Sequence, residues 1–68
     1  MSNDSQGVLE TWGEIKALVT EAEIDVLKNA NGNSAAGVRA RRALRLLRSK
    51  TSGLVKLTIS EEKARKDS

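Results

Sequence analysis

Sixty-eight residues support one small domain, and without cysteine or histidine the chain has no disulfides and no Cys/His zinc site to reinforce a marginal core. Self-association is the expected source of additional buried area. There is no Pro, Phe or Tyr and only one Trp, while Ala, Leu, Arg, Lys and Glu abound, so the composition specifies an all-α protein.

Residues 1–7 carry no apolar stretch and are expected to be a flexible N-terminus, with a single helical domain over 8–66. They also lack the basic and apolar regions of a signal peptide, and no apolar run approaches the roughly 20 residues of a membrane span. A cytoplasmic protein with no membrane partner is expected.

Over residues 8–30, Val8, Trp12, Ile15, Val19, Ala22, Val26 and Ala30 recur at spacings of three and four, the pattern of an amphipathic helix. Glu10, Glu14, Glu21 and Asp25 fall on the far side, and Leu9, Ile24 and Leu27 widen the apolar surface enough for more than one neighbour. Asn29-Ala30-Asn31-Gly32-Asn33-Ser34 gathers residues that tolerate a left-handed backbone and can cap a helix, which predicts a turn at 31–34 with Asn33 or Ser34 as N-cap of the next helix.

The second helix is predicted over 34–52, with an apolar stripe through Ala36, Ala40, Ala43, Leu44, Leu47, Thr51 and Leu54 and with Arg41, Arg42, Arg45 and Arg48 on the opposite side. Arg39 and Lys50 lie on another flank. Beyond it, Leu54-Val55-Lys56-Leu57-Thr58-Ile59 alternates as a short strand would, yet nothing else in the chain could pair with it. The favoured reading is a helix that continues past Gly53 as far as 66, with a capping-box restart from Thr58 to Glu61 if it breaks.

The charge is distributed unevenly. Residues 8–32 carry five acids and two lysines (−3), whereas residues 33–56 carry seven cations and no acid (+7). Most of those cations are Arg, whose planar donor fork suits phosphate. A helix from Ser34 to Ser52 is about 28 Å long, comparable with one turn of duplex DNA. The bland alternatives are a solvated face or Arg paired with the acids of the first helix in another copy.

The run Gly32-Asn33-Ser34-Ala35-Ala36-Gly37-Val38-Arg39-Ala40-Arg41, followed by Ala43-Leu44, resembles the Gly-Asn-x-Ala-Ala-x-x-x-x-Arg region of small bacterial linker-histone-like proteins, the family that includes the chlamydial histone-like nucleoid protein. The acidic-apolar helix before it and the basic helix after it follow the same order, extending the similarity over roughly residues 9–66. The resemblance implies DNA binding and nucleoid compaction by a helical hairpin, with Arg39 and Arg41 at the positions of the family's basic pair. Chlamydial members continue into a long Lys- and Ala-rich tail; this chain ends at Ser68 without one, so condensation by a disordered tail is not expected. Residues 52–59 are more apolar than the family pattern, which points to a distinct oligomer contact.

Other chemistries find little support. Gly32 and Gly37 have Walker-like spacing but are followed by Val38 and Arg39, so they form no phosphate loop. With no His or Cys and with dispersed carboxylates, no nucleophile-base pair, metal site, cofactor or small-molecule substrate is expected, and the protein is not expected to be an enzyme. Sequence-specific base readout and single-strand stacking are disfavoured, the latter because the one aromatic, Trp12, sits on the apolar stripe.

The expected architecture is a helical hairpin of two long antiparallel helices, assembling as a homodimeric four-helix bundle. Arg39, Arg41, Arg42, Arg45, Arg48, Lys50 and Lys56 are the candidate contacts to double-stranded DNA, in a nucleoid of a cell, or in a virion or infected-cell nucleoid if the source is viral. Trp12, Ile15, Val19, Ala22, Val26, Ala36, Ala40, Leu44, Leu47 and Leu54 are the candidate core and oligomer residues. The rival readings are a helical adaptor that binds no nucleic acid, and an RNA-binding hairpin dimer.

Overall fold

The computed structural model describes residues 4–67 as two helices, α1 (Asp4–Ala30) and α2 (Ser34–Asp67), with no strand among the described residues. Residues 1–3 of the expected N-terminal stretch and Ser68 lie outside the described residues. Helix α1 begins four residues before the apolar stripe does. A Cβ added at Gly7 would lie 3.6 Å from the Leu57 and Glu61 side chains, so this early turn of α1 runs alongside the far end of α2.

The turn closes by backbone geometry that its sequence dictates. Asn33 N–H donates to the Lys28 carbonyl (3.0 Å) and Gly32 N–H to the Asn29 carbonyl (2.9 Å), the paired bonds of a Schellman motif. Gly32, at φ 101°, occupies the left-handed position that the motif reserves for glycine. Asn33 then caps α2, its Oδ1 accepting from Ala36 N–H at 2.9 Å. One residue therefore ends the first helix and begins the second.

The two helices run antiparallel, and Ile15, Ala22, Ala36 and Ala40 are the buried apolar residues of the seam. Ala36 and Ala40 with Gly37 bring α2 close to α1 near the turn. A Cβ at Gly37 would collide with the Asn29 side-chain amide, which itself donates to the Asn33 carbonyl at 3.2 Å.

Helix α2 continues unbroken through Gly53, as the sequence favours, at a local cost of about 1 kcal/mol relative to Ala. Tertiary contact outweighs that cost: Leu54, Leu57 and Thr58 are half-buried and Glu61 is buried. The capping-box restart does not form. Thr58 Oγ1 donates instead to the Val55 carbonyl at 2.8 Å, inside a continuous helix. Buried Glu61 lies at the open end of the hairpin, with Arg65 one turn on and 4.0 Å away.

Candidate nucleic-acid interface

At about 100° per residue, each helix divides cleanly around its seam. One broad face of the hairpin carries Glu14, Glu21 and Asp25 of α1 beside Arg39 and Lys50 of α2. Arg39 Nε donates to Asp25 Oδ1 at 3.0 Å and Lys50 Nζ to Glu14 Oε1 at 2.6 Å. These pairs fix both the side and the register of packing: each joins residues whose numbers sum to 64. Both are largely solvent-exposed, so their contribution is to positioning, at about 0.2–1 kcal/mol each.

The opposite broad face carries Trp12, Val19 and Val26 of α1 with Leu44 and Val55 of α2. Trp12 is 48% exposed, Val19 52%, Leu44 50% and Val55 58%. Arg41, Arg45 and Arg48 flank Leu44 in a shallow groove at the α2 edge of this face. Leu47 and Leu54 are half-buried at the seam.

The third surface is the outer ridge of α2, turned away from α1. It carries Arg42, Arg45, Lys56 and Lys63, interleaved with the exposed Ser49, Ser52, Gly53 and Ser60. From Arg42 to Lys63 the ridge spans about 32 Å. Ser49, Ser52, Gly53 and Ser60 leave room beside the cations for a backbone to approach, while Ile59, 62% exposed, stands on the same ridge between Lys56 and Lys63.

Of the candidate contacts, Arg39 and Lys50 are thus engaged by α1 carboxylates. Arg41, Arg42, Arg45, Arg48 and Lys56 are exposed and make no ion pair among the described residues. Lys63 is missing from the sequence reading. It joins the ridge because α2 is unbroken, and its position five full helical turns beyond Arg45 is the signal that finds it. Among the candidate core residues, Ile15, Ala22, Ala36 and Ala40 meet in the hairpin seam, whereas Trp12, Val19, Val26 and Leu44 remain exposed on its surface.

Among the described residues, no group of acids could hold a metal ion and no helix is long and apolar enough to cross a membrane. The arrangement offers electrostatic binding of an extended polyanion.

Residues 9–52, covering all of the turn and most of both helices, match the family of histone H1-like protein Hc1. The chain belongs to that family of histone-like nucleoid proteins. No curated protein and no solved structure matches it.

Proposed function

We propose that this protein binds duplex DNA in the nucleoid through the basic side of α2, contacting phosphates with little sequence specificity, and that it does so as a pair of hairpins. The observation that carries the reading is that, among the described residues, α1 carboxylates engage Arg39 and Lys50 alone, while Arg41, Arg42, Arg45, Arg48 and Lys56 are exposed on one helix and make no ion pair. The family membership supports the same partner. A rigid helix holds these charges at fixed spacing, which suits the repeating phosphates of a duplex backbone.

Titration of a random-sequence duplex by fluorescence anisotropy at several salt concentrations tests this. If four or five cations meet phosphates, log K falls against log salt with a slope of about −4. A slope near zero, or equal or tighter binding to duplex RNA in a parallel titration, overturns the proposal.

A further inference from the structure

We propose that two copies pack through the Trp12–Val19–Leu44–Val55 face with α1 of each copy lying over α2 of the other, so that the two basic ridges point in opposite directions and the dimer bridges two duplexes. This rests on the DNA-binding reading above and adds to it the geometry of the partner.

A second copy is the occupant that the observations favour. A hairpin whose buried apolar residues are Ile15, Ala22, Ala36 and Ala40 is thinly cored for its length, yet it leaves its one Trp half-exposed on a face shared with the exposed Val19, Val26, Leu44 and Val55 and edged by Arg41 and Arg48.

Two-fold packing of this face allows two arrangements. With the axis perpendicular to the helices, α2 lies along the partner's α2, and Arg41, Arg45 and Arg48 meet the same three residues of the other copy. With the axis parallel to the helices, each α1 lies along the partner's α2. Charge favours the second arrangement, because it keeps the Arg41, Arg45 and Arg48 clusters of the two copies apart and sets Glu23 beside Arg41, while Glu14 and Asp25 are already paired on the far face. The register agrees. Glu23 and Arg41 sum to 64, as do the two ion pairs within the hairpin, so Glu23 stands level with Arg41 of the partner subunit and Val19 nearly level with the partner's Leu44. Lys16 and Arg48 form the one like-charge approach, at the solvent edge.

In this arrangement the two α2 helices occupy diagonal corners of the bundle. Arg41 turns to the partner's Glu23, and Arg42, Arg45, Lys56 and Lys63 face outward on opposite sides. Each side offers one duplex-length ridge.

The chain's lack of cysteine allows a clean test of the packing. Val19→Cys protein mixed with Leu44→Cys protein gives a disulfide between the two species under mild oxidation; preferential self-linking of either species, or no inter-copy product, overturns the arrangement. Bridging is read with the full chain, a biotinylated random duplex on beads and a second, fluorescent duplex free in solution. The expected result is capture of the free duplex that rises and then falls with protein concentration, and that drops at least about tenfold in a Val19→Asp/Leu44→Asp variant. Retained capture by the Val19–Leu44 cross-linked dimer distinguishes lost pairing from lost folding. Binding to the free duplex without capture overturns bridging and leaves DNA binding standing, whereas no binding to either duplex overturns both.

Discussion

Replacing Arg42, Arg45 and Lys56 together by Glu is expected to abolish duplex binding while leaving helix content and molecular size unchanged. Each phosphate contact releases about 0.9 counterion, so at 0.1 M salt the loss of three contacts weakens binding roughly 500-fold, before the added carboxylates repel the backbone. The three side chains are exposed, make no ion pair among the described residues and lie outside the apolar face, so the fold has no use for their charge. Anisotropy for binding, circular dichroism for helicity and sedimentation equilibrium for size check the three parts. A variant that loses its assembly instead would favour the adaptor reading, in which the Arg side of α2 meets acids of another copy.

The second large effect is expected from Val19→Asp combined with Leu44→Asp. In the proposed pair of hairpins both positions would lie beneath the partner subunit, where an unpaired carboxylate would cost about 3–5 kcal/mol. The dimer constant should weaken by more than about 100-fold. Helicity should fall with it, since among the described residues the buried apolar side chains of the seam are Ile15 and three alanines. Trp12 reports the same event: 48% exposed in the single hairpin, its emission shifts to the red as copies separate. An unchanged sedimentation profile in this variant would place the interface elsewhere.

The hairpin was legible because its turn is written locally. Asn29 to Ser34 contains the glycine that the Schellman motif needs and the Asn that caps α2, and both act within a few residues of their own position. The small residues Ala36 and Ala40 likewise announced close approach. What the sequence leaves open is which part of a stripe faces which neighbour. Ile15 and Ala22 turn into the seam, whereas Trp12, Val19 and Val26, from the same stripe, turn roughly 60° away onto the open face. A stripe that serves two neighbours looks from the sequence like one wide face.

The basic helix shows the same limit. The separation of Arg39 and Lys50 from the other cations on the wheel was visible, but their partners, Asp25 and Glu14, lie 14 and 36 residues away and depend on the register of packing. Residues 53–60 were ambiguous because Leu54 to Ile59 satisfies a strand's alternation as well as a helix. Contact of Leu57 and Glu61 with α1 decides the matter, and no local pattern encodes that contact. Once α2 is continuous, Lys63 joins Arg42, Arg45 and Lys56 and the ridge reaches the length of a duplex turn.

In the proposed complex the outer ridge of α2, and not the acidic face of α1, meets DNA. Amide and Arg side-chain NMR shifts recorded while a random duplex is added locate the contact residue by residue. The account predicts the largest shifts at Arg42, Arg45, Ser49, Lys56 and Lys63, with Glu10, Glu14 and Glu21 nearly unmoved; largest shifts on that acidic face, or none along α2 at low salt, would contradict it.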